Sequence, residues 1–279
     1  MRAAPPARRR CLTGLWVLGL ALLAGCNTPP PAAESQHRPA ESLLEVTAVL
    51  RRHVPDDTYR FPPARDFTGR NVYRASLLRL ENLERAHAET LRAGTWDEVI
   101  AFAKGRALER LRAYDLAGAS FRNAARYNGE LRLEALESAA LCDALAEALT
   151  LDDSVGEDAY PGPVQRESAF ARFDTRRALL EAVLNDADDS HYRFIVQEEL
   201  ERLAMQRAGF LVSLRALVPD GDVQALAALQ RNVVDHRESK NANVHVLTLA
   251  DLYASLARDY ILDHPPESLT FDPASFEEL

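Results

Sequence analysis

Apolar side chains recur every three or four positions over most of the chain. Tyr73, Leu77, Leu80, Leu83 or Glu84, His87 and Leu91 step along one face and predict a long amphipathic helix. Gly94 follows as the expected C′ residue of that helix, and Thr95-Trp96-Asp97-Glu98 has the form of a capping box opening the next one. Ser42-Leu43-Leu44-Glu45 has the same form and predicts an earlier helix to about residue 53, then a loop over 54–69 holding Pro55, Pro62 and Pro63. Further helices are expected over about 96–112, 115–128, 131–149, 166–185, 190–217, 223–237 and 244–263. No five-residue stretch alternates apolar and polar residues as a half-buried strand would. The expected fold is all-α, with about eight or nine helices paired as antiparallel hairpins.

Three stretches break the helical rhythm. Residues 27–39 are polar and Pro-rich, and they read as an extended tether. Residues 152–163 form an acidic insert ending in Pro161, Gly162 and Pro163, expected as a connector between helix pairs rather than a functional loop. Beyond residue 263, Pro265, Pro266 and Pro273 exclude a long helix, while Leu269, Phe271, Phe276 and Leu279 predict an extended tail docked on an apolar surface. Two roles are open for that tail: capping the last helix pair, which is the simpler, or occupying a groove as an internal competitor for a partner.

The start of the chain carries a different pattern. Arg2, Arg8, Arg9 and Arg10 precede an apolar run over residues 12–23, the layout of a secretory signal peptide. That run is too short for a membrane span, which needs roughly 20 residues. It ends in Leu23-Ala24-Gly25-Cys26, which resembles the lipobox of bacterial lipoproteins. The resemblance implies that the chain is cut between Gly25 and Cys26 and that Cys26 is acylated. Two or more acyl chains anchor a protein stably, at about 0.8 kcal/mol per buried CH₂, where one holds it only marginally. Asn27 stands where some of these lipoproteins carry an aspartate that retains them at the inner membrane, so the resemblance implies an outer-membrane lipoprotein facing the periplasm. The chain is therefore expected to comprise a signal peptide (1–25), a lipidated cysteine and tether (26–39), an all-α domain (40–263) and an extended tail (264–279).

Charge and cysteine content narrow the classes. Loss of the four leader arginines takes the net charge from −9 to −13. Binding to nucleic acid needs clustered Lys and Arg, so it is not expected, and an anionic lipid surface offers no electrostatic attraction. With Cys11 removed and Cys26 acylated, only Cys142 remains, and no intramolecular disulfide is possible. In Leu141-Cys142-Asp143-Ala144-Leu145 it lies on the apolar side of a helix and is expected to be a buried thiol.

One segment carries a repeat signature. In residues 101–129, Gly105 and Leu108 share a face with Ala101, while Ala117, Phe121 and Ala124 share a face by steps of four and three. Small residues on both faces let two antiparallel helices approach closely, with Phe121 filling the groove beside them. This segment resembles one tetratricopeptide repeat, a helical hairpin of about 34 residues. Gly105 matches the first-helix small position, Leu108 the large apolar one, Tyr114-Asp115 the turn, and Ala117, Phe121 and Ala124 the second-helix small, aromatic and small positions. Ala101, Lys104 and Gly129 depart from the family's aromatic, leucine and proline. A register later, Ala139 and Cys142 repeat the pattern, but Leu151 falls where an alanine belongs. A generic αα-hairpin meets the same spacing.

No catalytic residue, cofactor or metal site is expected: the chain lacks a Gly-x-Ser-x-Gly elbow, His-Glu-x-x-His, a phosphate-cradling loop and a Cys-x-x-Cys pair. Residues 185–191 have carboxylates at calcium-like spacing, but without the turn glycine and the later glutamate they read as a helix end followed by a capping Asp189 or Ser190. Asp220-Gly221-Asp222 reads as a turn and N-cap, the histidines as surface or packing residues, and Glu198, Glu199 and Glu201 as the solvated face of one helix. Two functions fit: a lipid-anchored helical scaffold or adaptor that binds another envelope protein in an assembly or secretion role, or an envelope hydrolase of cell-wall material using carboxylates that no motif marks. The scaffold is favoured because no motif is present. An open groove mixing Arg, Asn and aromatic residues would support binding, and a closed pocket of converging carboxylates would support catalysis.

Overall fold

A computed structural model describes residues 38–150, 161–187, 190–265, 267 and 272–278. The signal peptide, Gly25 and Cys26, most of the acidic insert, and the tail's Leu269, Phe271 and Leu279 lie outside these residues, as does the side chain of Phe276.

The described residues are all-α, with ten helices and, in place of any strand, one isolated bridge between Arg65 and Asn71. They are α1 (Pro39–Asp56), α2 (Val72–Ala93), α3 (Asp97–Arg110), α4 (Tyr114–Ala125), α5 (Arg132–Thr150), α6 (Pro163–Asp186), α7 (Tyr192–Leu214), α8 (Gly221–Asp235), α9 (Ala242–Asp263) and α10 (Pro273–Glu278). Each helix packs on the next in sequence and α1 also packs on α3, the neighbour-to-neighbour contact pattern of a helical repeat. No helix among the described residues is long and apolar enough to cross a membrane.

The apolar core falls into three clusters. Leu43, Val46 and Leu50 of α1 meet Tyr73, Leu80 and Leu91 of α2, and Ile100, Ala103 and Ala107 of α3 close that cluster. The opposite face of α3, with Ala101, joins Phe121 of α4, Cys142 and Leu145 of α5, Leu180 of α6 and Ile195 of α7. Ala208, Ala225, Leu229, Leu252 and Leu256 tie α7, α8 and α9 together. Helix α3 is therefore a shared wall with apolar packing on two sides, which is why small residues fill it.

The helix ends differ from the sequence reading in instructive ways. Helix α1 begins at Pro39, whose fixed φ suits a first helical position, so Ser42 and Glu45 lie inside the helix and form no capping box. It also runs past residue 53, through Pro55 to Asp56, shortening the expected loop. Helix α2 is broken at His87 (φ −133°, ψ 27°). At its end Thr95, not Gly94, takes the left-handed C′ conformation (φ 60°). The Trp96 N–H donates to Leu91 O and the Thr95 N–H to Arg92 O, a Schellman closure. Gly94 serves instead to admit the indole, since a Cβ there would sit 2.6 Å from the Trp96 ring. The hydroxyl of Thr95 donates to Gly94 O and caps nothing on α3.

Of the other expected caps, Asp189 lies outside the described residues. The N-cap positions of α7 and α8, His191 and Asp220, make no side-chain cap bond, and the Ser190 hydroxyl donates back to Ala187 O. In the tail, Pro273 starts a six-residue helix, so residues 264–279 are not uniformly extended. The Tyr260 hydroxyl donates to Asp272 O at 3.1 Å and accepts from its N–H at 2.9 Å, holding the start of this helix against α9.

Candidate binding groove and the charged girdle of α7

The repeat-like positions come together in the α3–α4 hairpin. A Cβ on Gly105 would lie 2.5 Å from the Phe121 ring, so only glycine lets that fully buried ring close on α3. Ala117 and Ala124 are fully buried beside it, and Leu108 is half-buried against the same cluster. Phe102 meets Phe121 edge to face at 5.3 Å, and the Arg106 guanidinium lies over both rings. Tyr114 is buried too, but it opens α4 rather than sitting in the turn, and Asp115 is an exposed first-turn residue with no capping role.

The turn itself is residues 111–113. The Arg112 N–H donates to Glu109 O and the Ala113 N–H to Leu108 O, again a Schellman closure, with Arg112 left-handed at φ 63°. This conformation aims the Arg112 side chain at α7. Its Nε donates to Glu199 Oε1 at 2.7 Å and its Nη2 to Oε2 at 2.8 Å. Glu199 also accepts from Arg202 at 2.6 Å and from the Tyr114 hydroxyl at 3.0 Å, and Arg176 of α6 lies at 3.9 Å. Burial pushes the Glu199 carboxyl up, but Arg112, Arg202 and Tyr114 outweigh it and hold it below the ordinary carboxylate range.

Glu198, Glu199 and Glu201 are therefore not a solvated face: they are 7%, 0% and 1% exposed. Glu198 accepts from Lys240 at 2.7 Å and lies 3.6 Å from Arg110, which is bound in turn to buried Asp57 at 2.7 Å. Glu201 accepts from the Ser239 hydroxyl at 2.6 Å and the Asn241 amide at 3.2 Å, and lies 2.7 Å from His245 Nε2. Helix α7 thus joins α3, the α3–α4 turn, α6 and α9 through ionic bonds. Local sequence gave no sign of this, because every partner but Arg202 comes from a distant segment.

A second buried group lies at the start of α7. Glu109 accepts from the Tyr192 hydroxyl at 2.6 Å and lies 2.7 Å from His191 Nε2, with Arg106 at 3.3 Å. Burial raises its pKa, and Arg106, His191 and Tyr192 together bring it below the ordinary value. Cys142 lies 3.8 Å from the Tyr192 hydroxyl, and burial, reinforced by the Glu109 charge, pushes its thiol up to about 12. It is a packed, unreactive thiol. The histidines are not scattered individually either: His236 and His245 stack at 5.4 Å, and the Tyr59 hydroxyl bonds His236 Nδ1 at 2.5 Å. Among the described residues, no three His, Cys, Asp or Glu side chains converge to hold a metal ion.

On the outer side of α7 the charged girdle gives way to a groove of about 610 Å³ between α6 and α8. Its floor is apolar, with Phe170, Phe173, Leu200, Leu203 and Ala208. Phe210 braces that floor, meeting Phe170 at 5.5 Å and Phe173 at 5.9 Å. Arg177, Arg207 and Arg231 rim it, with Glu181 and Asp235, and buried Asn232 stands in its wall. Arg207 lies over Phe170 and 3.4 Å from Asp174, and Arg177 pairs with Glu181 at 2.7 Å. The residues singled out in the repeat signature do not line this groove; they build the hairpin that positions α7 from behind. Comparison with protein families, curated proteins and solved structures finds no match to the chain.

Proposed function

We propose that this protein is a lipid-anchored helical scaffold, held by acylated Cys26 at the outer membrane and presenting the α6–α8 groove to another protein of the cell envelope. The observation that carries the reading is the groove: open, with an apolar and aromatic floor that includes Phe170 and Phe173, a buried Asn232 in its wall and arginines along its rim. That is the composition of a protein-recognition surface. The neighbour-to-neighbour helix packing and the close Gly105–Phe121 contact support a tetratricopeptide-like hairpin as the repeated unit. The buried carboxylates add support, since Glu109 and Glu199 are held ionised by arginine and tyrosine, whereas a general acid needs its pKa raised.

In-cell photo-crosslinking tests this. Crosslinking residues placed singly around the groove rim should capture one envelope protein reproducibly, and residues on the exposed side of α5 should not. Capture from neither face, or equally from both, would overturn it.

A further inference from the structure

The groove does not stop where α6 does. A second depression, about 920 Å³, lies between residues 58–61, the start of α7 and the end of α8. Asp235 lines both depressions. On α7, Arg193, Phe194 and Gln197 line the second, while Leu200, Ala204, Arg207 and Leu211 line the first. From Arg193 through Gln197 to Leu211 these positions step by three and four and form one continuous stripe, with Phe194 beside its start. The two depressions are consecutive halves of a single channel following α7 from Arg193 to Leu211, a rise of roughly 27 Å at ~1.5 Å per residue. That length accommodates about eight residues of extended chain at ~3.3 Å each.

The halves differ in character. The α6 half has the aromatic and aliphatic floor. The other half is polar, with Arg60, Arg193, Arg237 and Gln197, and an exposed Phe61 at its edge. Along the whole channel six arginines face three carboxylates, Glu181, Asp235 and Glu238, on a chain of net charge −9. Among the described residues Arg231 and Arg237 enter no ion pair, although both line the channel. A basic, half-apolar trough on an acidic protein selects for the opposite charge.

We infer that the α7 channel binds an extended segment of a partner protein whose apolar or aromatic residues occupy the floor of the α6 half and whose carboxylates face Arg231 at the rim of that half and Arg237 in the other. This deepens the scaffold reading and rests on it. The probe is a fluorescein-labelled ten-residue peptide with Phe and Leu in one half and Asp in the other, titrated by anisotropy into the purified protein. A matched peptide with Lys in place of Asp should bind at least tenfold more weakly. The double variant Arg231→Glu, Arg237→Glu should lose at least tenfold for the acidic peptide, and Ala227→Trp, which fills the exposed rim of the apolar half, should do the same. The milder Arg231→Gln, Arg237→Gln pair, with thermal melts of all variants, separates lost binding from lost folding.

Equal binding of the two peptides, or affinity indifferent to these folded variants, would overturn the inference. So would self-association abolished by Arg231→Glu, which would make the channel an interface between copies. Capture of an envelope partner in cells by a protein that takes neither peptide overturns the channel chemistry alone. Tight, arginine-dependent binding of the acidic peptide supports it even where no partner is captured.

Discussion

Arg112 and Glu199, 87 residues apart, form a two-pronged ion pair in which the arginine adopts the left-handed backbone conformation and the glutamate has no exposure to solvent. The tight α3–α4 turn requires a residue at positive φ, and the chain places there a side chain long enough to neutralise α7. Glycine would satisfy the turn without strain but would leave Glu199 one partner short.

Ranking three variants by urea unfolding separates the two effects. Arg112→Ala should cost about 1–3 kcal/mol, the worth of hydrogen bonds to a charged group, kept modest because the arginine is 40% exposed and Glu199 retains Arg202 and Tyr114. Arg112→Gly should be milder than Arg112→Ala by about 1 kcal/mol, since it relieves the left-handed strain. Glu199→Ala should be worst, at about 3–5 kcal/mol, because it removes the buried carboxylate that Arg112, Arg202 and the Tyr114 hydroxyl share. Equal costs for the alanine and glycine variants would remove strain from the account.

Acid should unfold the protein through Glu109 and Glu199. Both carboxyls lie below the ordinary 4.5 in the folded state, so the unfolded chain takes up protons first as pH falls. Their contribution is complete above about pH 4.5 and is lost progressively below it. Denaturant midpoints followed from pH 6 to pH 3 should drop steeply at the acid end, and Glu109→Gln with Glu199→Gln should flatten that limb from a lower plateau.

A separate, gentler loss should begin near pH 6.5. Burial lowers the His236 pKa from 6.5; the Glu201 charge opposes the shift, stacked His245 adds to it, and the Asp235 charge again opposes. The folded state thus disfavours protonation, so His236 contributes fully above pH 6.5 and less as pH falls through its folded value. His236→Gln, which can still hydrogen-bond the Tyr59 hydroxyl, should abolish the slope between pH 7 and pH 5.5. An unchanged slope would assign it to another group.

In the hairpin, Phe121→Ala should cost about 3–5 kcal/mol through the cavity it leaves. Gly105→Leu should cost at least about 1–3 kcal/mol by overpacking, given the 2.5 Å approach of the ring. Gly105→Ala should be far better tolerated in a Phe121→Leu background than alone, a coupling that a double-mutant cycle reads directly. Asp115→Ala should cost only about 0.3–1 kcal/mol, since that carboxylate favours the helix N-terminus without capping it.

Cys26→Ala should abolish membrane attachment and leave an uncleaved or soluble envelope protein, assayed by fractionation and labelled palmitate. Label incorporated into the Cys26→Ala protein would refute acylation at this cysteine.

The elements were legible where burial is one-sided. Tyr73, Leu80 and Leu91 repeat at helical spacing because α2 has a wet face, and the Gly105–Phe121 approach could be read because both partners lie in one hairpin. Helix α7 was misread in its chemistry because it is enclosed on several sides and buries carboxylates beside Ile195 and Leu203, so no clean apolar stripe marks its inner face. The partners that make such burial affordable, Arg110, Arg112, Lys240 and His245, come from other helices and turns. The groove was invisible for the same reason: Phe170, Arg207 and Arg231 meet only after three helices have packed. Helix ends failed where a residue other than the usual one took the work, Thr95 for Gly94 and Pro39 for Ser42.

The double-faced packing of α3 sets the smallest part of this chain that can stand alone. Removing residues 39–93 would leave the α3–α4 signature whole yet bare Ile100, Ala103 and Ala107 to water, turning the interior of one cluster into an adhesive surface. The first two helices are thus not an ornamental leader to the repeat-like hairpin. They act as its lid, and any shortened version intended to keep that face buried must begin at Pro39 rather than at the point where the repeat signature starts.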